Sequence, residues 1–345
     1  MSKKLQHIAV MRLSAMGDVA MTVPVLRAFV NQNPKVKITV ISRPFFEPFF
    51  QDISNVTFFA FDEKDRHKGI LGLLRLFQDL RKLNIDAFAD LHNVLRSNVV
   101  GNLFELNGKK TATVDKGRAA KKELTRLEDK IFKPLPTMFE RHIKVFMKLG
   151  FKVDLSNPIF PEKEILDTKF DFLNLQKNQK LIGIAPFAQY ESKIYPIDLM
   201  QKVIYELNLN SDYKILLFGG GQKEINILNS FSENNQNVAV VAGKIKFGDE
   251  LKLISNLDVM LSMDSGNAHL AAMLGINVIT LWGATHPYAG FAPFNQPSEN
   301  SLVPDRTQYP LLPTSVYGNK KIDGYQDVMR SISVEHVVAK LKSVL

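Results

Sequence analysis

Short runs of β-branched and apolar residues alternate with segments of helical period along most of this 345-residue chain. Such alternation is typical of parallel sheets, because each crossover helix returns the chain to the edge at which the previous strand began. The alternation occurs in two series. The predicted strands are Ile8–Leu13, Val36–Ile41, Val56–Phe61, Asp86–Asp90 and Thr111–Val114 in the first series, and Leu181–Ala185, Lys214–Phe218, Val238–Val241, Asp258–Leu261 and Asn277–Leu281 in the second. The sequence therefore predicts an α/β protein with two parallel sheets.

A stretch of weak periodicity, residues 151–180, separates the two series and contains two prolines. Such a stretch predicts a junction between domains, and the length of the chain also fits two domains. We place the first domain at residues 1–160 and the second at residues 181–325. Residues 326–345 end in a predicted helix whose apolar side chains recur at helical spacing and need a surface to cover.

The composition excludes several classes of protein. The chain has no cysteine, which excludes disulfide scaffolds, thiol nucleophiles and Cys-ligated zinc, and its seven histidines show no metal-ligand spacing. No apolar run approaches the ~18 residues that a transmembrane helix needs, and the N-terminus shows no export signal. We therefore expect a cytoplasmic protein.

Positive charge is concentrated in the first half of the chain. Residues 1–155 contain 27 Lys and Arg against 16 Asp and Glu, a net charge of +11, whereas the rest contains 17 against 19, a net charge of −2. We expect the first half to meet a phosphorylated substrate or an acidic membrane surface; nucleic acid is disfavoured because no aromatic residues interleave the basic ones. A solvated lysine-rich surface is the alternative. One basic stretch supplies candidate anion-binding residues: Lys116, Arg118, Lys121 and Lys122.

The motif SAMGDV, which contains Gly17 and Asp18, follows the first predicted strand. Gly17 permits a tight turn, and Asp18 then lies at the start of a helix at the carboxyl edge of the sheet, where open α/β folds bind ligands. The carboxylate of Asp18 is therefore a candidate for chemistry in a cleft. The alternative is that Asp18 only caps the helix, a position that aspartate favours.

A second motif, MDSGNAHLAA, follows a predicted strand of the second series. Asp264, Ser265 and Gly266 lead into a helix of small residues, whose first amide groups and positive dipole end suit a phosphate. His269 follows within the first turns of that helix. The alternative is an Asp/Ser cap on a buried helix, with His269 as a core histidine.

Further candidates lie in loops that follow other strands. Lys193, after the first strand of the second series, is placed to neutralise a diphosphate, although a loop lysine is more commonly a solvated charge. Arg96 and Ser97 follow the fourth strand of the first series. Glycines after two other strands either admit a ligand close to the backbone or serve turn geometry alone. These glycines are Gly219, Gly220 and Gly243.

The motifs SAMGDVAMTVPVLRAF and MDSGNAHLAAMLGINVITLWGATHP resemble those of glycosyltransferase family 9, the heptosyltransferases of lipopolysaccharide core assembly. Their order and separation match the family, and the similarity covers most of the chain. The resemblance implies a GT-B fold, with two Rossmann-like parallel-sheet domains facing a cleft and a C-terminal helix that crosses back to the N-terminal domain. It also implies an inverting, metal-independent transfer without a cofactor, in which the C-terminal domain holds a nucleotide-sugar donor and the N-terminal domain an acceptor.

The same resemblance implies a role for each candidate residue. Asp18 matches the general base, and Gly17 beside it is assigned to the acceptor site. Lys193 matches the lysine that contacts the donor phosphates. Arg96 and Ser97 match the basic residue and serine that follow the fourth strand on the acceptor side. The motif around the sugar diphosphate is matched by Asp264, Ser265, Gly266 and His269.

The leading hypothesis is transfer of heptose, or a related sugar, from ADP-heptose to an anionic lipid-linked glycan of the lipid A and core type. ADP-heptose is the donor that the family resemblance implies, and such an acceptor predicts peripheral contact with the cytoplasmic face of the inner membrane. The alternatives are a nucleotide-sugar epimerase of the same fold and a non-catalytic protein that binds nucleotide or polyanion. A Rossmann dehydrogenase is disfavoured because the first turn lacks the GxGxxG spacing.

Overall fold

The computed structural model describes residues 5–233 and 235–345, which form two compact units. The first unit is the chain up to Gly117 with Pro136–Phe160, and the second is Arg118–Leu135 with Pro161–Leu345. Each unit is built on its own parallel sheet, which confirms the predicted α/β class. Within the described residues, no helix is both long and apolar enough to cross a membrane.

Eleven strands in the described residues form the two sheets, and all neighbouring strands are parallel. The first sheet has the order β3-β2-β1-β4-β5, from β1 (His7–Met11), β2 (Lys37–Ser42), β3 (Val56–Ala60), β4 (Ala87–Asp90) and β5 (Lys110–Thr113). The second has the order β11-β10-β9-β6-β7-β8, from β6 (Lys180–Ala185), β7 (Tyr213–Leu217), β8 (Val238–Val240), β9 (Val259–Met263), β10 (Asn277–Leu281) and β11 (Ser301–Leu302). All ten predicted strands are confirmed; β11 is too short to stand out in the sequence.

The α-helices of the described residues are α1 (Met16–Ala20), α2 (Val23–Gln32), α3 (Gly69–Arg81), α4 (Leu95–Leu106), α5 (Arg118–Leu124), α6 (Met138–Leu149), α7 (Ile197–Asn208), α8 (Gly221–Ser232), α9 (Phe247–Ile254), α10 (Gly266–Met273) and α11 (Val334–Lys342). The sequence predicts one helix over residues 18–32, where the structure has α1 and α2. The two helices separate around Thr22 because Pro24 lacks the amide hydrogen that a continuous helix needs.

One face of the first sheet is buried beneath α3 and α4. The ring of Phe104 on α4 stacks on that of Phe88 in β4, with 5.1 Å between the centroids. Each buried side chain of this size contributes roughly 2 kcal/mol to folding. The apolar stripe of α3 packs into the same cluster through Leu73, Leu76, Phe77 and Leu80. This packing fixes where each strand ends, and hence where the loops of the carboxyl edge begin.

The second sheet places three strand ends side by side at its centre. Strand β6 lies between β9 and β7, and β9 lies between β6 and β10. Because all three strands β6, β9 and β10 run in the same direction, the loops that follow them leave from one edge. That arrangement brings Lys193, Asp264 and Thr285 into the same region of the second unit.

Residues 118–135 belong to the second unit, whereas the sequence analysis assigns them to the first domain. Three contacts within the second unit explain the difference. The ammonium group of Lys121 lies over the ring of Phe291, 3.9 Å from its centroid. The Lys130 ammonium donates to the carbonyl of Pro313 at 2.6 Å, and the amide of Leu135 donates to the carbonyl of Tyr288 at 3.0 Å.

The C-terminal helix also differs from the expectation. The family resemblance implies a helix that returns to the N-terminal domain, but the apolar face of α11 is buried in the core of the second unit. Val337, Val338 and Leu341 form that face, and α11 packs against α7. The apolar periodicity predicted that this helix covers a surface, but periodicity does not specify which surface.

Candidate catalytic and donor-binding sites

The carboxylate of Asp18 forms an ion pair with Arg12 at the carboxyl edge of the first sheet, with 2.6 Å between Arg12 Nη2 and Asp18 Oδ2. The Arg12 side chain is 6% exposed and that of Asp18 is 28% exposed. Arg12 also donates to the carbonyl of Leu91 at 2.8 Å, so its guanidinium is held at two points. The ion pair therefore fixes the orientation of a carboxylate that solvent still reaches.

Asp18 also performs the capping role that the sequence left open. Its Oδ2 accepts a hydrogen bond from the amide of Ala15 at 3.2 Å, at the start of α1. Gly17 is the second residue of α1 and has an ordinary negative φ rather than the left-handed turn that a glycine permits. The contact with Arg12 goes beyond what a cap requires, because a cap needs only the backbone amide.

Two histidines lie near this ion pair, and both are held neutral. Burial, with the positive charge of Arg12 as the next cause, lowers the pKa of His92 to about 3. Burial likewise lowers the pKa of His142 to about 3, again followed by the charge of Arg12. Near neutral pH, both imidazoles are therefore uncharged, and the ion pair of Asp18 with Arg12 involves no histidine.

Ser97 lies in the interior of the first unit and positions the chain after β4. It is completely buried, and its hydroxyl donates to Asp90 Oδ2 at 2.8 Å. Asp90 also accepts hydrogen bonds from the amides of His92 and Asn93, both at 2.8 Å, and burial raises the pKa of its carboxyl group. The structure thus places Ser97 beneath the edge that carries Asp18.

Arg96 lies on the surface of the same edge, in a charge network that joins three loops. Its guanidinium contacts Glu63 at 2.8 Å, and the other carboxylate oxygen of Glu63 contacts Arg43 at 2.8 Å. The three residues follow β4, β3 and β2 respectively. The network therefore holds the loops of the carboxyl edge together.

The remaining basic candidates do not form one cluster. Lys116 belongs to the first unit, and its charge is one of the causes that lower the pKa of His92. Arg118, Lys121 and Lys122 lie on α5 in the second unit. Arg118 and Lys122 are exposed, whereas Lys121 is buried against Phe291.

Lys193 and Asp264 form a buried ion pair in the second unit, with 2.9 Å between Lys193 Nζ and Asp264 Oδ2. The two side chains are 13% and 10% exposed. The hydroxyl of Thr285 donates to the same carboxylate oxygen at 2.8 Å. Desolvation of both ions makes such a pair a poor source of stability. Its placement at the carboxyl edge of a parallel sheet is instead typical of a ligand site.

Helix α10 begins immediately beside that pair. Ser265 is its N-cap residue but makes no side-chain cap to the helix; its hydroxyl lies 3.1 Å from the Ser262 hydroxyl. Gly266 is the first helical residue, and its lack of a side chain opens the amides of the first turn to a ligand. His269 lies further along α10 and is buried. The arrangement offers backbone donors and an ammonium group to one anion.

Two of the candidate glycines, Gly219 and Gly243, pack against side chains of α8, whereas a side chain at Gly220 would have no atom within 4 Å. A side chain at Gly219 would lie 3.1 Å from Glu224 and 3.1 Å from Leu228. At Gly243, whose φ is +76°, it would lie 2.9 Å from Ile225. The amide of Gly220 donates to the Glu224 carboxylate at 2.8 Å, so the protein's own carboxylate occupies the N-terminus of α8. These contacts agree with the turn-geometry alternative.

The sequence analysis missed three residues that complete the two sites. Arg12 is the one charged residue in the first predicted strand, Ile8–Leu13, and a charge among apolar strand residues is a signal that could have identified it. Thr285 lies in the quoted motif WGATHP but was given no role. Gly318 packs on the Lys193 side chain from a loop that is distant in the sequence, so no local sequence pattern predicts that contact.

No group of three or more histidine, cysteine, aspartate or glutamate side chains in residues 5–233 and 235–345 is arranged to hold a metal ion. In the second unit, the groups of the chain that face an anion are the ammonium of Lys193 and the amide end of α10.

Comparison with known proteins identifies the family. A sequence profile of glycosyltransferase family 9 (heptosyltransferase) matches residues 73–315, about 70% of the chain. Lipopolysaccharide heptosyltransferase 1 of Campylobacter coli is 27% identical over 300 residues, which cover 81% of this chain and 85% of that protein. These matches confirm the predicted resemblance.

Solved structures agree in fold. A glycosyltransferase family 9 protein from Veillonella parvula has a TM-score of 0.75 at 19% identity, with 100% of this chain and 98% of that one covered. The E. coli heptosyltransferase WaaC with ADP-2-deoxy-2-fluoro heptose has a TM-score of 0.66 at 17% identity, with 99% and 100% covered. The two parallel-sheet units thus have the predicted GT-B architecture. The chain belongs to glycosyltransferase family 9, the heptosyltransferase family, and is a glycosyltransferase.

Proposed function

We propose that the protein transfers heptose from ADP-heptose to a lipopolysaccharide core acceptor with inversion at the anomeric carbon. The buried pair of Lys193 and Asp264 beside the open N-terminus of α10 is the observation that carries this proposal. The relatives support the choice of substrates: one is a lipopolysaccharide heptosyltransferase, and the WaaC structure contains an ADP-linked fluoroheptose.

In the proposed reaction the departing group is ADP, whose β-phosphate gains negative charge as the bond to the sugar breaks. Lys193 and the first amides of α10, aided by the hydroxyl of Ser265, would stabilise that charge. Asp264 holds the ammonium group at the edge of the sheet, and the hydroxyl of Thr285 in turn donates to Asp264. Because these groups supply the positive charge that a metal supplies in other transferases, we propose that the reaction needs neither metal nor cofactor.

Asp18 is the proposed general base. An acceptor hydroxyl attacks the anomeric carbon from the face opposite ADP, and its proton passes to the Asp18 carboxylate as the new C–O bond forms. Arg12 fixes the direction of that carboxylate through the 2.6 Å ion pair. The Ala15 amide also donates to this carboxylate, at 3.2 Å, so Asp18 is held from both the side chain of Arg12 and the start of α1.

The carboxyl edge of the first unit is the proposed acceptor side and the proposed contact with the membrane. Ile70 and Leu71, at the start of α3, are 74% and 70% exposed. Phe45 and Leu95 are also exposed and lie on the loops or helix that follow β2 and β4. The network around Glu63 joins these segments. A lipid-linked acceptor would bring this apolar rim to a bilayer surface, which fits a cytoplasmic protein bound peripherally.

The test is a transfer assay with ADP-heptose and lipopolysaccharide that lacks heptose, in the presence of EDTA. We expect ADP release and a heptosylated product from the wild-type protein. Conversion of ADP-heptose in the absence of acceptor would instead indicate an epimerase. ADP binding without either reaction would indicate a non-catalytic nucleotide-binding protein, and loss of transfer on addition of EDTA would contradict metal independence.

A further inference from the structure

The loop that carries Lys193 is enclosed by backbone from two other parts of the second unit. On one side, the carbonyl of Ser192 accepts a hydrogen bond from the amide of Ala284 at 3.0 Å, and a side chain at Gly283 would lie 2.1 Å from that carbonyl oxygen. On the other side, the hydroxyl of Ser192 donates to the carbonyl of Gly318 at 2.6 Å. The residue next to Lys193 is thus fixed from both sides.

The loop around Gly318 is itself held rigidly. The carbonyl of Ala284 accepts hydrogen bonds from the amides of Thr314 and Ser315, at 3.0 and 3.1 Å. The hydroxyl oxygen of Ser315 accepts the amide of Gly318 at 2.9 Å, and the same hydroxyl donates to Asn319 at 3.1 Å. One hydrogen-bonded frame therefore connects the end of β10 to Gly318.

Gly318 touches the aliphatic part of the Lys193 side chain directly. Its φ is +86°, and a Cβ atom there would lie 2.5 Å from Lys193 Cδ and 2.7 Å from Cγ. The same Cβ would lie 3.2 Å from Ser192 Oγ. The side chain of Lys193 thus occupies the space that any side chain at position 318 would need. The lysine is held by its stem at Gly318 and by its ammonium group at Asp264.

We propose that Ser192 and Gly318 form a clamp that positions Lys193 for the donor diphosphate. The inference rests on the proposed role of Lys193 in binding that diphosphate. With Cγ and Cδ confined, only the end of the side chain is free to turn from Asp264 to a phosphate oxygen. The clamp restricts the Lys193 side chain before the donor binds. Most of the conformational entropy that a lysine otherwise loses on binding a ligand is therefore already lost, and the ammonium group is already in place. Ser192 and Gly318 are positioning residues, because they act through Lys193.

A pair of glycine variants tests the clamp. Gly318→Ala introduces a Cβ against Lys193, whereas Gly324→Ala introduces one at φ +77° with no atom within 4 Å. The two variants share the backbone strain of a left-handed alanine but differ in the contact with Lys193. For Gly318→Ala we expect ADP to bind roughly tenfold more weakly by calorimetry, and Gly324→Ala to stay within about twofold of wild type.

Two further readouts separate positioning from general damage to the fold. AMP lacks the β-phosphate, so the preference for ADP over AMP should shrink in Gly318→Ala. In a Lys193→Ala background, Gly318→Ala should weaken ADP binding no further, because the residue through which it acts is gone. The KM for the acceptor should stay at the wild-type value.

A second variant keeps the test decisive where Gly318→Ala does not fold. Ser192→Ala removes the hydrogen bond to Gly318 without adding volume, and we expect roughly threefold weaker ADP binding. Ser230→Ala is its control, since the Ser230 hydroxyl donates to the carbonyl of Ile227 at an exposed site. Wild-type ADP affinity in Gly318→Ala, or an equal loss in the Lys193→Ala background, would overturn the clamp and leave the proposed function standing. Failure of the wild type to bind ADP would overturn both.

Discussion

The two units each place a carboxylate beside a cation at the carboxyl edge of a parallel sheet, but they build the pair differently. In the first unit the arginine is almost fully buried and held at two points, while Asp18 remains partly open to solvent. In the second unit Asp264 is buried and Lys193 is mostly buried, Asp264 is also held by Thr285, and the cation is a lysine with a flexible end. The first pair is suited to present an anion, and the second to present a cation.

The two pairs differ in the chemistry of their cations. The guanidinium group of an arginine is planar and stays charged, so it can hold a carboxylate in a fixed orientation. A lysine carries a compact charge on rotatable bonds, so it can exchange a carboxylate for a phosphate. We therefore expect a lysine at position 12 to orient Asp18 poorly, and an arginine at position 193 to exchange Asp264 for a phosphate less readily.

The largest expected effect is that of Asp18→Asn on turnover. The amide has nearly the same shape but cannot accept the proton of the attacking hydroxyl, so we expect kcat to fall about 10²–10⁴-fold. Affinity for ADP should remain within twofold of wild type, because the donor groups lie in the other unit. Steady-state ADP release checks the first expectation, and unchanged turnover would remove Asp18 from the mechanism.

The next effect is that of Arg12→Lys. An ammonium group keeps the charge beside Asp18 but cannot reproduce the planar fork that also reaches the carbonyl of Leu91. We expect kcat to fall roughly tenfold or more and the free energy of unfolding to fall by about 2 kcal/mol. Turnover assays and urea denaturation measure the two. Arg27→Lys is the control, since Arg27 pairs with Asp52 at 2.7 Å outside the site; equal losses of turnover in both variants would contradict the orienting role.

These expectations show which parts of the molecule could be predicted from the sequence. Strand ends were predictable because apolar periodicity is a local property, and they placed Asp18, Lys193 and Asp264 at the correct edges. The assignment of residues 118–135 failed because the contact of Lys121 with Phe291 depends on tertiary packing. The clamp at Gly318 was hidden for the same reason: its contact with Lys193 joins segments that are distant in the chain.

A smaller effect concerns pH and the two buried histidines near Asp18. His92 and His142 have pKa values of about 3 in the folded protein, below the ordinary value of 6.5, so the unfolded chain binds more protons as the pH falls. Stability is therefore full above pH 6.5 and is lost progressively from there toward pH 3. Each ring should lower the free energy of unfolding by about 2 kcal/mol between pH 7 and pH 5.

Urea denaturation at pH 7 and pH 5 measures this loss. His92→Asn should retain its stability on acidification better than the wild type by about that amount. His336→Asn, a change on the surface of α11, should lose as much stability as the wild type. A wild-type protein equally stable at both pH values would contradict the neutral state of the two buried rings.

The smallest effect is expected at the apolar rim of the first unit. Replacement of Ile70 and Leu71 together by serine should reduce retention on anionic liposomes several-fold, because two exposed apolar side chains no longer enter the interface. Turnover on a water-soluble acceptor fragment should not change. Ile165→Ser, at an equally exposed position of the second unit, is the control. Equal retention of both variants would exclude this rim as the membrane contact.

We propose a division between the units, in which the first supplies the anion for chemistry and the second supplies the cation for the donor. Calorimetric titration of ADP into Asp18→Asn and Lys193→Ala, with turnover measured on the same preparations, tests it most directly. We expect Asp18→Asn to bind ADP as the wild type does without turning over, and Lys193→Ala to bind ADP at least tenfold more weakly. Weakened ADP binding in Asp18→Asn, with unchanged binding in Lys193→Ala, would contradict it.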